Sequence, residues 1–476
     1  MTQADKVLNA AGATATNWFI HTPVCCPSRA EFLTGRYFHN VRETTDKGGC
    51  MHVDDDKVVD FMYASYLQKA GYNVGYFGKN LNSCPSKAPP GFDCEDCYWF
   101  ANGGGSDSEP GGYLNATFHD QNGTYKGNTA GEYAGYTTSI IANKSIEWVK
   151  HVAPLGKPFM VTVAPKAPHV PATPAPWYAT LFSDLKAPRT PNYNASKEEL
   201  ADHHWLIAQQ DIITMEQADT IDELFRNRWR TLVSVDDAIA AMVQTITDLD
   251  LIDSTYFFST SDHGYQLGQM RLPSCKLNVY ENDIRIPMVF RGPGIAAGTK
   301  FDLPASNVDV APTLLGLAGV DAWAVANMDG KSIVPLVVDP TDPTVPESVK
   351  AHIAHQTTTL GVKAENWRKF HFIEYYSLGS VTRTGHLVDD PTSNTYRAVR
   401  YVGPGAAAAG HGNMLYAQFT AVSDWHFENV SFHEMYDLDK DPYQLNNIYS
   451  SASPALLANL TTVLEAQYNC NAETCV

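Results

Sequence analysis

Four β-rich runs in this 476-residue chain each end in a turn that carries reactive side chains. Residues 17–20 lead into Cys25, 72–77 into Gly78 and Lys79, and 159–163 into Lys166 and His169. Residues 256–260 lead into Ser261, Asp262, His263 and Gly264. Between the last two runs, Ile221, Leu224, Phe225, Leu232, Val235, Ile239, Met242, Val243, Ile246 and Leu249 recur at helical spacing. Strands alternating with helices predict an α/β sheet. Ligands in such sheets gather outside the carboxyl ends of the strands, so one sheet edge is expected to assemble these residues.

Charge narrows the partners. The 34 basic and 52 acidic residues give a net charge of −18. Nucleic acid is excluded, because phosphate binding needs surplus Lys and Arg. A local basic pocket in an acidic surface still admits a small anion. No apolar run approaches the ~18 residues that span a bilayer. The opening residues Met1-Thr2-Gln3-Ala4-Asp5-Lys6 lack the apolar core of a signal peptide. Other features fit a secreted chain: N-x-S/T sequons at Asn115, Asn122, Asn143, Asn194, Asn429 and Asn459, and nine cysteines. Cys84, Cys94 and Cys97 form one local set and Cys470 and Cys475 another. No second C-x-x-C partners Cys94-x-x-Cys97, so disulfides are expected rather than zinc.

Residues 101–112 read as a flexible loop, without the Lys-Ser/Thr of a phosphate-binding loop. A Pro- and Asp-rich break at 339–347 predicts a catalytic domain over 1–340 and a smaller C-terminal α+β subdomain over 341–476. The latter is β-rich and closes with a helix over 454–468. Asp437–Asp441 is not an EF-hand, since Pro442 and Ile448 replace the required Gly and Glu.

The chemistry centres on Cys25-Cys26-Pro27-Ser28-Arg29, followed by Leu33-Thr34-Gly35-Arg36. Pro27 suits the first position of a helix and Gly35 its end, so Cys25 is expected at a helix N-terminus, which favours anions. Arg29, one turn in, can bond an anionic oxygen. The stretch matches every fixed position of C-x-P-S-R-x-x-x-L-T-G-R. It resembles the signature of the type I, formylglycine-dependent sulfatases. Further resemblance to the N-acetylglucosamine-6-sulfatase branch and related arylsulfatases lies in Gly78-Lys79-Asn80-Leu81, Pro168-His169-Val170-Pro171, His203-His204-Trp205 and Arg228-Trp229-Arg230. His203-His204 by itself reads first as helix-surface polarity.

The resemblance implies an alkaline-phosphatase-like sulfatase fold. That fold has a large mixed β-sheet flanked by helices and a smaller C-terminal antiparallel sheet plus helix. It implies that a formylglycine-generating enzyme oxidises Cys25, not Cys26, to an aldehyde whose hydrate attacks sulfur. One Ca2+ per chain is expected on Cys25, Asp262 and His263, with Arg29, Lys79 and Lys276 offsetting sulfate charge. His169 is the expected general acid. The implied substrate is a sulfated sugar, with 6-O-sulfated N-acetylglucosamine first, or an aryl sulfate. The implied location is lysosomal or extracellular. Two departures are Leu81, where many sulfatases have histidine, and His263, where many have Asn.

A third departure concerns the metal. Family members begin with a strand ending in Asp-Asp, two more calcium ligands, before a segment like residues 1–14. A truncated chain accounts for the missing leader, strand and ligands together, and Asp54-Asp55-Asp56 falls at the wrong place to substitute. Two competing expectations follow: a phosphonate or phosphoester hydrolase of the same superfamily, and an inactive protein that binds sulfated glycans.

Overall fold

The computed structural model describes all residues except 43–54, 60, 82–87, 103–111, 115, 121–122, 127–134, 321–326, 378–380, 385–386, 392–393 and 476. Asp54, Cys84, Asn115, Asn122 and most of the 101–112 stretch therefore lie outside the described residues.

The runs read from sequence form strands that stop where the reactive residues begin. In the five-stranded sheet, Asn73–Lys79 pairs in parallel with Tyr98–Asn102 on one side and Phe159–Ala164 on the other. Thr117–Asp120 and Gly123–Lys126 extend it antiparallel. Gly78 faces Ala164 across the register at φ +111°, and a Cβ there would strike the Ala164 carbonyl oxygen. Only glycine tolerates both the conformation and the approach, and the next residue is Lys79 at the strand end. A second, four-stranded sheet runs Lys300–Phe301, Ala13–Ala15, Met288–Arg291, Phe257–Thr260, with parallel and antiparallel pairs. Trp18–Phe19 pairs with Ala305–Ser306 and leads towards Cys25.

Helices Thr137–Val152 and Met215–Asp248 cover the five-stranded sheet. Ile141, Trp148, Val149 and Ile246 pack on Phe77, Phe100 and Phe118. The long helix starts at a reciprocal cap: Thr214 accepts from the Gln217 backbone, and the Gln217 side chain accepts from the Thr214 backbone. No helix among the described residues is long and apolar enough to cross a membrane.

Toward the C-terminus, Phe370–Tyr375, Thr395–Tyr401, Met414–Thr420 and Phe432–Asp437 form an antiparallel four-stranded sheet. Helix Pro454–Tyr468 lays Leu460 and Leu464 on Val399 and Tyr416. The opposite face, with Ile373, Ala398 and Leu415, shares a core with Phe19, Val24, Leu33 and Leu277. That shared core seats the sheet behind the Cys25 segment. Helix Glu347–Thr358 packs Val349 and Ile353 with Val310 and Ile333.

Cys94–Cys97 and Cys470–Cys475 are disulfides. Asn143, Asn429 and Asn459 are exposed, whereas Asn194 exchanges two hydrogen bonds with the Ile213 backbone, at 2.7 and 3.1 Å. His203 and His204 correct the surface expectation: both are buried. His203 Nε2 donates to Gln444 O at 2.8 Å and His204 stacks on Phe419 at 4.4 Å. Their apolar surroundings come from the C-terminal sheet, which local polarity does not reveal.

Candidate active site

Cys25 opens helix Cys25–Thr34, with Val24 as an extended N-cap. Pro27 is thus the third helical residue rather than the first. The first turn tolerates it because N–H groups there have no intrahelical acceptor. Gly35 ends the helix at φ +67°, as its sequence position implied. The Cys25 thiol is buried at the positive end of the helix.

Four loops converge on that thiol. His263 Nε2 lies 3.6 Å from Sγ, and His169 also hydrogen-bonds it. Burial alone would raise the thiol. The charges of Lys79 and Lys276 and the two histidine contacts instead hold it well below the ordinary thiol range. Lys79 and Lys276 are 4% and 5% exposed, so their charges act with little water between them. Burial pushes the Lys79 ammonium down, with Cys25 opposing and Arg29 assisting.

The two histidines are aimed alike and tuned oppositely. His169 Nδ1 donates to Val170 O at 2.6 Å and His263 Nδ1 to Gly264 O at 2.7 Å, so each turns Nε2 toward residue 25. His169 is lowered by burial and by both lysines, outweighing its Cys25 contact. His263 is raised: burial lowers it, but neighbouring Asp262 and the Cys25 contact prevail.

Arg29 uses three of its nitrogens on protein acceptors. Its Nε and Nη2 donate to Asp262 Oδ2 at 2.9 and 2.7 Å, and its Nη1 donates to Lys79 O and Asn80 O at 3.0 Å each. It therefore ties its helix to the ends of two strands. The Asp262 carboxyl sits far below the usual carboxylate range, because His263, Arg29 and Lys79 overcome its burial. Ser28 Oγ donates to Asp262 O, and Asn307 Nδ2 binds Ser28 O at 3.0 Å and Glu31 Oε2 at 2.7 Å, fixing the helix from behind.

The metal-ligand atoms of Cys25, Asp262 and His263 lie within 4.8 Å of one another. Calcium takes six to eight oxygens. This set offers one carboxylate, with Oδ2 already bonded by Arg29, one imidazole and one sulfur. Among the described residues the donors do not fit calcium.

Several contributors carried no motif. Tyr113 donates its hydroxyl to His169 O at 2.6 Å. Arg228 Nη1 donates to Pro168 O at 2.8 Å and stacks on Tyr265, two residues beyond His263. Tyr265 in turn hydrogen-bonds Ser274 at 2.7 Å. The only sequence signal was position: Tyr265 follows Asp-His-Gly, and Arg228 sits in an amphipathic helix as an unassigned charge.

A family model described as Sulfatase matches residues 1–320, and one described as N-sulphoglucosamine sulphohydrolase, C-terminal, matches 275–403. The chain belongs to the sulfatase family. It is 30% identical to N-acetylglucosamine-6-sulfatase of Bos taurus over 98% of this chain and 79% of that protein. It is 29% identical to an arylsulfatase of Chlamydomonas reinhardtii over 100% of this chain and 72% of that protein. Among solved structures, it resembles BT4656 in complex with its substrate D-glucosamine-2-N,6-O-disulfate. The TM-score is 0.72 at 22% identity, covering 99% of this chain and 94% of the other. The sulfatase fold, with mixed sheets, flanking helices and a C-terminal antiparallel four-stranded sheet, agrees with the expectation from sequence. The chain is a sulfatase-family hydrolase of sulfate esters.

Proposed function

We propose that this sulfatase cleaves sulfate monoesters of sulfated sugars, with the 6-O-sulfate of N-acetylglucosamine-type residues as first substrate. The observation that carries the reading is the convergence of Lys79, Lys276, His169 and His263 on residue 25 at a helix N-terminus. Similarity to N-acetylglucosamine-6-sulfatase over most of both chains supports the sugar. The N-acetylglucosamine-6-sulfatase and BT4656 names concern those proteins and suggest the class of substrate to try.

The site suits a formylglycine at position 25: cations and the helix end stabilise an oxygen anion there. Once oxidised and hydrated, that residue supplies the oxygen nucleophile. Lys79 and Lys276 bind sulfate oxygens and offset the charge that builds as the sulfur–oxygen bond breaks. His169, with Nδ1–H committed to Val170 O, turns Nε2 towards the departing oxygen; the bound sulfate counters the two lysine charges that lower this histidine, so Nε2 takes up a proton and gives it to the departing sugar oxygen. His263 and Arg29 position residue 25 and the loop ends around it.

The test combines mass spectrometry and turnover. Protein made with a formylglycine-generating enzyme should show replacement of the Cys25 CH2SH group by CHO, with Cys26 unchanged. Cys25→Ala should abolish hydrolysis of glucosamine 6-sulfate, and Cys26→Ala should keep most of it. The reverse ranking, or cleavage of aryl phosphates in preference to sulfates, refutes the reading.

A further inference from the structure

Helix Met215–Asp248 carries three arginines within five residues, and two of them share the carboxylate of Glu223. Arg226 donates to Glu223 Oε2 at 2.7 and 2.9 Å. Arg230 donates to Glu223 Oε1 at 2.9 Å and Asn227 Oδ1 at 2.8 Å. Arg228 is different. Its guanidinium lies 4.1 Å from the centroid of the Tyr265 ring, and Nη1 bonds one neutral acceptor, Pro168 O. Among the described residues no carboxylate pairs with it and its other N–H groups meet no acceptor. Burial lowers its pKa, with Tyr265, Tyr113 and Asp262 opposing. Guanidinium offers five donors in a planar fork, so half-buried Arg228 has donors to spare for a ligand.

Position says which ligand. Pro168 immediately precedes His169, the residue placed on the leaving-group side. Tyr265 lies two residues beyond His263, and its hydroxyl bonds Ser274, two residues before Lys276. Arg228 is thus tied, through Pro168 and Tyr265, to the loops that carry His169 and His263. We infer that Arg228, stacked on Tyr265, binds a second oxyanion on the departing sugar, making doubly anionic sugars the preferred substrates. This inference rests on the proposed reaction. The second anion is a sulfate or sulfamate on the same ring, or the carboxylate of an adjoining uronic acid; all suit a guanidinium fork.

The experiment uses the full chain, wild type, Arg228→Gln and Arg228→Lys. Probes are N-acetylglucosamine 6-sulfate, glucosamine bearing both N- and 6-sulfate, and 6-sulfated N-acetylglucosamine linked to a uronic acid. Binding is read by calorimetry and turnover by sulfate release. Wild type should favour one doubly anionic probe over N-acetylglucosamine 6-sulfate on the order of 10- to 100-fold, the scale of a charged hydrogen-bond pair. Which probe gains identifies the anion. Arg228→Gln should erase that preference, mainly in KM and Kd. Arg228→Lys should restore part of the preference. If wild type shows no preference, or if Arg228→Gln lowers kcat on every probe alike and keeps the preference, Arg228 only props the His169 loop and the inference fails. A chain that hydrolyses none of the probes would refute the proposed reaction. The calorimetric preference, or its absence, would still decide the role of Arg228.

Discussion

Arg29 and Asp262 form a forked ion pair in which Nε and Nη2, at 2.9 and 2.7 Å, share one oxygen, Oδ2. The remaining Nη1 spans two backbone carbonyls at the end of strand Asn73–Lys79. Asp262 therefore balances Arg29, and the proposed reaction assigns the sulfate oxygens to Lys79 and Lys276.

Arg29→Lys is the informative change, because lysine keeps the charge but cannot fork to Asp262 while holding both carbonyls. It should lower kcat for glucosamine 6-sulfate by about 10²-fold, the scale of a lost transition-state contact. KM should change much less. Wild-type kcat in this variant would mean that charge alone, not the fork, organises the loops.

Lys79→Ala and Lys276→Ala should each cost on the order of 10²–10³ in kcat, as expected for removal of a charge partner used as the bond breaks. Both ammonium groups are nearly excluded from water, which strengthens their effect on a developing anion. Effects confined to KM would assign both to uniform substrate binding.

Calcium affinity follows from the donor set. With one carboxylate, half of it committed to Arg29, the described site should bind Ca2+ no more tightly than about 10⁻³ M. Calorimetric titration measures this directly. A dissociation constant in the micromolar range would show that further oxygen ligands complete the site.

Much of this arrangement was legible in sequence because strand ends and reactive residues coincide. Lys79, His169 and Asp262 follow β-rich runs, and the helix from Met215 was readable from its apolar spacing. The fork between Arg29 and Asp262 was not legible. It joins residues 233 positions apart, and each had a plausible separate partner in substrate or metal. Arg228 was hidden for a similar reason: its partners, Pro168 and Tyr265, meet it only through loop packing. His204 misled because its stacking surface, Phe419, comes from a strand over two hundred residues later.

Glu374 anchors the catalytic segment to the C-terminal sheet. The carboxylate is fully buried. His21 Nε2 approaches Oε1 at 2.8 Å, His39 Nδ1 approaches Oε1 at 3.0 Å, and the Tyr376 hydroxyl donates to Oε2 at 2.7 Å. His39 Nε2 donates to Cys470 O at 3.0 Å, which brings the terminal disulfide loop into the same cluster. His39 is raised above its ordinary 6.5, because Glu374 outweighs burial. Glu374 is held well below its ordinary 4.5, because His39 and His21 outweigh burial. The signs then fix the window. The His39 contribution is complete below 6.5 and is lost as pH rises through its raised folded value. The Glu374 contribution is present above 4.5 and is lost as pH falls through its depressed folded value. The clamp should therefore stabilise most in mildly acidic solution. Glu374→Gln leaves buried His39 without its counter-charge and should cost about 3–5 kcal/mol at about pH 5.5. The gap from wild type should be narrower at about pH 8.5, because the His39 contribution declines as pH rises above 6.5 towards its raised folded value. Denaturant titrations of both proteins at the two pH values test this. A gap that stays constant across that range would mean that the cluster acts through packing and neutral hydrogen bonds, not through the charge on His39.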